Sequence, residues 1–451
     1  MTDKLQSLTG ALLSEARRAG AEAADALAVE GTSVSIDIRA GRLEQAERSE
    51  GIELGLRVLI GGRQACVSVS DTSARTIADV AERAVAMARE APVDPCVGLA
   101  EADQLATGWD IAALELRDPA AEPEAAALEA DARRAEDAAL ARAGIVQVEA
   151  SAGYSQRRMF LAASNGFAGG YARTSRSVSA VAFTGTGTGM ERDWAGEARI
   201  YQADLPGAET VGDLAAERAL SRAGARKPVT GSYPVLFDER IASSLIGHLL
   251  AAVNGAAIAR GASWLRDALG QQVLPAGLSV VEDPWRVRIS GSRPFDAEGL
   301  PTRRRAIVQD GVLTGWTLDL ATGRKLGMAS TANAARGTSS PPSPSTSNID
   351  LVPGSPQGAF SRDDLIGQMG TGLLVTALIG SSINGTTGDY SRGASGFWVE
   401  NGQIAYPVNE CTIAGNLRDM LLRIVPGNDA RAHLSTRVPS LLLEGMTLAG
   451  A

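Results

Sequence analysis

The side chains best suited to metal or nucleophilic chemistry are few and scattered in this chain. Its 451 residues include two histidines, His248 and His433, and three cysteines, Cys66, Cys96 and Cys411. A zinc hydrolase site normally needs about three protein ligands and an open position for water. The cysteines form no C-x-x-C pair, and neither histidine is close to a cysteine in sequence. The sequence therefore predicts neither a catalytic nor a structural zinc site in this chain.

Two longer segments are instead rich in arginine, carboxylate, aromatic and glycine residues. Residues 291–305 read GSRPFDAEGLPTRRR, and residues 385–420 read GTTGDYSRGASGFWVENGQIAYPVNECTIAGNLRDM. One interpretation is a channel for an extended peptide, in which charged groups orient the backbone and aromatic rings contact side chains. The alternative is that these residues fix the turns of a β-rich fold through buried ion pairs and hydrogen bonds. The candidates for a peptide cleft are Arg293, Phe295, Asp296, Glu298, Asp389, Tyr390, Arg392 and Glu400.

These segments resemble the motif blocks of the TldD/PmbA family and, within it, the PmbA branch, also called TldE. The segments AIVQDGVLTGWTLD and ATGRKLGMASTANAAR lie between them, and the resemblance extends from about residue 20 to the C-terminus. It implies a subunit of a two-chain, ATP-independent peptidase of the bacterial and archaeal cytosol. Such complexes trim leader peptides and degrade unfolded polypeptides. The resemblance also implies a β-rich, barrel-like domain in the C-terminal half.

In the TldD branch, an HExxxH helix supplies two zinc ligands and a glutamate, and a cysteine near the C-terminus completes the site. The equivalent helix is expected at residues 238–260, where alignment places Gly247 and Ala252 at the two histidines and His248 at the glutamate. Glycine and alanine have no side chain that can bind zinc, and the C-terminal AHLSTRVPSLLLEG contains no cysteine. The resemblance thus implies no catalytic residue and no metal in this chain, and His248 is expected to be a packed or partner-facing residue.

Zinc is then expected in a TldD-type catalytic partner, where it would lower the pKa of a bound water while a carboxylate takes the proton. The resemblance implies a heterodimer in which this chain holds unfolded or leader peptides. A stand-alone homodimeric peptide-binding protein without catalysis is the alternative. The chain has no G-x-S-x-G and no D-T/S-G pair, so serine and aspartyl peptidase chemistry are not indicated.

Composition narrows the function classes further. The net charge is −9 and the pI is about 5.1, and the one dense basic run is at residues 303–305. Some family members have been called modulators of DNA gyrase, but this charge predicts no nucleic-acid binding. An apolar content of 45% and a charged content of 21% are typical of soluble globular proteins. No apolar run approaches the roughly 20 residues of a membrane helix, and no secretory signal is evident. We therefore expect a cytoplasmic protein without disulfides.

The periodicity of the N-terminal part predicts the scaffold for these segments. A helix is predicted over residues 3–28, followed by four short strands with turns at residues 40–41, 50–51 and 61–62. A second helix should be capped at residues 71–72 and end at Pro92. This pattern predicts an antiparallel sheet with helices on one face.

The rest of the chain predicts an α+β protein with two domains. Residues 120–144 are typical of a surface helix rather than a coiled coil, and the glycines at 185, 187 and 189 indicate a loop or hairpin rather than a phosphate site. The apolar residues 372–379 should form a buried strand or short helix, and the polar residues 337–347 a loop, with the mouth of the cleft as one option. The predicted domains are 1–226, which includes a middle segment from about residue 115, and 227–451.

Overall fold

The computed structural model describes residues 4–354 and 360–450. Up to residue 230 the described chain forms a helix-backed antiparallel sheet with strand order β3-β2-β1-β4-β5-β6. In chain order, its elements are α1 (Lys4–Ala19), β1 (Ala23–Arg39), β2 (Arg42–Ile60), β3 (Arg63–Val69), α2 (Ala74–Glu90), α3 (Ala125–Leu140), β4 (Ile145–Ala163), β5 (Ala168–Thr184), β6 (Glu191–Arg199) and α4 (Ala208–Ser221).

All four helices cover one face of this sheet, as the sequence predicts. Side chains alternate between the two faces of a strand, and the even-numbered residues of β1 pack against the helices. Ala24, Ala26 and Ala28 pack with α1 and α2, while Val34, Ile36 and Ile38 pack with α3 and α4. The odd-numbered residues of β1 are therefore left for the other face.

Three local predictions in this part are wrong. The first helix ends at Ala19, because Gly20 adopts a positive φ of 101° and the chain then enters β1. No turn occurs at residues 50–51: β2 runs through it in register with β1, with Gly51 opposite Gly31. The cap of α2 is Ser73, whose hydroxyl accepts a hydrogen bond from the amide of Thr76. The glycines from residue 185 do form a hairpin connection, since β5 and β6 are antiparallel neighbours.

The C-terminal elements are mostly short strands. In chain order, they are β7 (Gly231–Phe237), α5 (Glu239–Ala252), α6 (Gly255–Ala259), β8 (Leu278–Glu282), β9 (Arg305–Gln309), β10 (Val312–Leu313), α7 (Leu320–Leu326), β11 (Ala334–Ala335), β12 (Ser343–Pro344), β13 (Ile349–Pro353), α8 (Arg362–Met369), β14 (Gly372–Ile383), β15 (Asp389–Glu400), β16 (Gln403–Asn416), α9 (Leu417–Leu421), β17 (Val425–Pro426), β18 (Thr436–Arg437) and β19 (Leu441–Ala449).

Five of these strands close into a barrel, which confirms the predicted fold class. The order is β16-β15-β14-β7-β19, and pairing of β16 with β19 closes the ring. The apolar residues 372–379 form strand β14 rather than a helix. Helix α5, capped by the side chain of Asp238, packs its buried residues Leu245, Ile246 and Leu249 into the core beside the barrel. The predicted helix over 238–260 is wrong in its length, because α5 ends at Ala252 and the side chain of Asn254 caps a new helix, α6.

The open face of the N-terminal sheet packs against the first motif segment. Leu27 of β1 and Phe295 belong to one buried apolar cluster. Residue 55 is a glycine, and a Cβ there would collide with the backbone carbonyl of Thr338, so the start of the 337–347 loop lies flat on β2. No helix in the described residues has the length and apolarity needed to cross a membrane.

Candidate functional site

The three positions aligned with the metal motif lie on α5 and form no metal centre. Gly247 is exposed, and Ala252 is buried. His248 is half-buried with its ring centroid 5.8 Å from that of Tyr390. Neither Nε2 of His248 nor the hydroxyl of Tyr390 has a hydrogen-bond partner among the described residues, although both atoms are buried. Burial lowers the pKa of His248, and the nearby charge of Arg392 lowers it further, so the ring is neutral at physiological pH.

The other side chains that could bind a metal ion also lie apart from one another. Within the described ranges, no three histidine, cysteine or acidic side chains come together in a group that could hold a metal ion. His433 lies 3.1 Å from Glu197. Cys411 is buried beside the carbonyl of Ala394, and burial raises the pKa of its thiol to about 11, which disfavours the thiolate that binds metals. The side chains of this chain therefore do not fit the zinc site of the TldD branch.

In the second motif segment, the side chains of Asp389 and Arg392 form their hydrogen bonds within the barrel and its hairpin turn. The Asp389 carboxylate accepts hydrogen bonds from the Thr387 hydroxyl at 2.6 Å and from the Asn416 amide at 3.1 Å, and these bonds lower its pKa. Arg392 donates from Nε to the carbonyl of Gly380 at 2.8 Å. Burial raises the pKa of Tyr390 to about 12. Glu400 is exposed at the end of β15.

Two carboxylates of the first segment hold its turn in place. Asp296 is fully buried and accepts hydrogen bonds from the backbone amides of Glu298, Leu300 and Ala334, at 2.9 to 3.0 Å. The Glu298 carboxylate accepts from the amide of Leu320, at the start of α7, at 2.8 Å. Burial raises the pKa of Asp296, and burial together with the charge of Asp296 raises the pKa of Glu298 to about 8.

Three of the four candidates of this segment line a cavity of about 330 Å³ between the turn and the open face of the N-terminal sheet. Arg293, Phe295 and Asp296 lie on the turn side, where Arg336 and Thr346 also contribute. The sheet side consists of Leu27, Val29, Arg157, Met159, Leu161, Tyr171 and Arg173.

The structure does not bring the two motif segments into one cavity among the described residues. Arg392 shares a groove of about 350 Å³ with Gly247 on α5, and Asp389 and Tyr390 line another groove. Sequence reasoning missed Arg157 and Arg173. The alternation of residues along a strand indicates which of them share a face of the sheet. It does not indicate that the strands of Arg157 and Arg173 are neighbours.

Comparison with known proteins identifies the family. Residues 24–88, 115–223 and 230–450 match the models for domain 1, the central domain and the C-terminal domain of the PmbA/TldA metallopeptidases. The chain is 38% identical to metalloprotease PmbA of Escherichia coli O157:H7, over 93% of this chain and 90% of that one. It is 37% identical to the Haemophilus influenzae PmbA homologue, over 96% and 94% of the two chains.

Solved structures share the whole fold. A Bacteroides thetaiotaomicron protein, described as a candidate modulator of DNA gyrase, superposes with a TM-score of 0.91 and 28% identity over 100% of both chains. TldE from Thermococcus kodakarensis superposes with a TM-score of 0.84 over 98% of this chain and 100% of that one, and its 18% identity supports the fold alone. With its motif blocks, matching domains and PmbA relatives, this chain belongs to the PmbA branch of the PmbA/TldD metallopeptidase family.

Proposed function

We propose that this chain is the non-catalytic, substrate-holding subunit of a cytosolic zinc metallopeptidase made of two different chains. A TldD-type partner would hold the zinc and carry out hydrolysis, and unfolded or leader peptides would be the substrates. The observation that carries this proposal is the presence on α5 of Gly247, His248 and Ala252, the residues that the sequence alignment matches to the two histidines and the glutamate of the HExxxH motif.

The surroundings of α5 support a role in contact rather than in chemistry. Space is open around Gly247, since a Cβ there would meet no atom within 4 Å. The adjoining groove is lined by Ser243, Ser244, Leu250 and Arg392, which can contact a peptide or a partner but cannot replace a metal. The three cysteines are free thiols.

Co-expression with the TldD-type chain of the same genome tests the proposal. We expect this chain alone to bind no stoichiometric zinc and to cleave no unfolded casein, whereas the two chains together co-elute and show cleavage that a chelator abolishes. Their interface should bury about 1,000 Å² or more. The variant His248→Ala should leave both zinc content and cleavage unchanged.

The opposite results would favour specific alternatives. Separate elution at micromolar concentration, with no cleavage after mixing, would favour a stand-alone homodimer that binds peptides without catalysis. One tightly bound zinc per chain, lost together with activity in His248→Ala, would instead identify a self-sufficient metallopeptidase.

Arginine variants test the substrate-holding role. We expect Arg293→Ala and Arg392→Ala to weaken peptide processing by the complex more than they lower the melting temperature. Arg304→Ala is the matched control, because that side chain is 67% exposed on the same motif segment. Parallel losses of activity and stability would show that the arginines only maintain the fold.

A further inference from the structure

The sheet side of the 330 Å³ cavity changes from apolar to cationic along the strands. Strands β1, β4 and β5 are neighbours in register, and every second residue faces the cavity. Successive rows are separated by about 7 Å, two residues along a strand. From the apolar end to the cationic end, the rows are Leu27 with Leu161, Val29 with Met159 and Tyr171, and Gly31 with Arg157 and Arg173.

The cationic row has no counter-charge. Arg157 and Arg173 lie directly opposite each other on neighbouring strands, an arrangement that is destabilising for like charges. Arg173 donates to the backbone carbonyls of Ser290 and Ser292 and lies 5.2 Å from the ring centroid of Tyr171. Neither arginine forms an ion pair with an acidic residue of the described chain, although the protein as a whole has a charge of −9.

Two further guanidinium groups on the turn side have unused donors. Arg293 donates to the carbonyls of Ala334 and Ser345, at 3.3 and 2.7 Å, but its buried Nε has no partner in the described residues. The fully buried side chain of Arg336 contacts Asp25, and its Nη2 is likewise without a partner in the part of the chain described. Buried donors without an acceptor are costly, so an anionic ligand would stabilise this arrangement.

Asp296, the one acidic side chain among the described lining residues, interacts with Arg293 and offsets only one of the four arginines that line the cavity. Both carboxylate oxygens of Asp296 accept hydrogen bonds from backbone amides. The carboxylate of Asp25 is shared between Arg336 and Arg57, so one negative charge serves two cations. The cavity wall therefore has a net positive charge.

The size of the cavity limits the ligand. The volume of the cavity is about 330 Å³. This volume lies at the lower end of the range for ligand pockets, roughly 300 to 1,000 Å³. It suits the end of a peptide better than an extended chain. Guanidinium groups bind carboxylates through paired, charge-assisted hydrogen bonds.

We propose that this cavity binds the C-terminal residue of a peptide, with the terminal carboxylate between Arg157 and Arg173 and an apolar side chain against the adjacent row, toward Val29, Met159 and Phe295. The choice of a peptide as the ligand rests on the proposed function. The requirement for a carboxylate joined to an apolar group comes from the cavity itself.

Calorimetric titration of the full chain with N-acetyl-leucyl-leucine and with its C-terminal amide tests this proposal. We expect the free acid to bind at least tenfold more tightly than the amide, and higher salt to weaken only the acid. Arg157→Gln should remove most of this difference with little effect on the melting temperature, because Arg157 is exposed and unpaired among the described residues. The exposed Arg42, on β2, provides the control variant Arg42→Gln, which removes the same charge away from the cavity and should bind as the parent does.

Equal affinities for acid and amide, or an unchanged preference in Arg157→Gln, would overturn the proposal. Competition with inorganic phosphate tests whether the site simply binds any anion. If phosphate binds as tightly as the free acid, the site takes a simple anion and the peptide assignment is wrong. The titration uses this chain without a partner or zinc, so a failure to bind the dipeptide refutes only the proposed carboxylate site. The subunit proposal is tested separately, by co-elution and cleavage.

Discussion

The carboxylate of Asp25 joins the two parts of the chain, and its removal should be unusually costly. It accepts hydrogen bonds from Arg57 of β2, with Nε at 2.7 Å, and from Arg336, which approaches from the C-terminal part. All three side chains are at most 3% exposed. Asp25→Asn preserves the shape but leaves two buried guanidinium groups without a counter-ion. Removing one partner of a buried pair typically costs about 3 to 5 kcal/mol, and with two cations affected we expect about 4 to 5 kcal/mol.

Thermal unfolding followed by circular dichroism measures this cost. At roughly 2 to 4 °C per kcal/mol for a unit of this size, the first transition of Asp25→Asn should fall by about 8 to 20 °C. Asp79→Asn is the control, since Asp79 forms an exposed pair with Arg75 at 3.9 Å and such pairs contribute about 0 to 1 kcal/mol. A shift no larger than that of the control would refute the reasoning.

The pH dependence gives a second check on Asp25. Burial alone would raise the pKa of Asp25, but the charges of Arg336 and Arg57 leave it below its ordinary value. A carboxylate with a lowered pKa contributes stability above its ordinary pKa, and that contribution is lost as the pH falls through the lowered value. The difference between parent and variant should therefore be constant from about pH 5 to 8 and decrease only in acid.

Four further substitutions have defined outcomes. Burial first, and then a neighbouring charge, raises the pKa of Glu298 to about 8, so the parent should lose a few kcal/mol of stability as the pH rises from about 5 to 8. The variant Glu298→Gln cannot ionise at this position and should lose less stability over the same range. A difference in melting temperature between parent and variant that is constant with pH would contradict this. Gly212→Ala should cost about 1 to 3 kcal/mol in chemical denaturation, because its Cβ would collide with the carbonyl of Ala135, whereas Gly10→Ala, on α1 with open space, should stabilise by about 0.4 to 1 kcal/mol. His248→Phe removes a buried nitrogen that has no partner in the described residues, so melting temperature and zinc-dependent cleavage by the two-chain complex should not fall; loss of cleavage at unchanged stability would indicate a direct role in the reaction.

Local periodicity predicts that one face of the N-terminal sheet is covered by helices, but it does not predict every strand end. The prediction of an antiparallel sheet with helices on one face is confirmed, and the even-numbered residues of β1 face those helices. Glu50 and Gly51 have turn-forming composition, yet they lie in the middle of β2. Their backbone is extended because Thr32 and Gly31 of β1 pair with them. Whether a glycine ends a strand thus depends on its partner strand, which the local sequence does not specify.

The cavity could be predicted only in part for a related reason. The sequence indicates Arg293, Phe295 and Asp296 as candidates because they are close together in the chain and combine charged and aromatic side chains. Arg157 and Arg173 face each other only through the register of β4 and β5. Arg336 reaches Asp25 across 311 residues of sequence, so a local pattern could not pair them.

Within the first motif segment, structural and ligand-facing roles are divided between neighbouring residues. Asp296 and Glu298 use their carboxylate oxygens to bind backbone amides of the turn, of β11 and of α7. Arg293 also binds the backbone, at the carbonyls of Ala334 and Ser345, but its buried Nε has no partner in the described residues, and it lines the cavity together with Phe295. Substitutions at the two carboxylates should therefore affect function through stability, whereas those at Arg293 should affect ligand affinity first. This turn is one of several elements that attach the C-terminal part of the chain to its N-terminal sheet, and the cavity between them exists only while both parts are folded together.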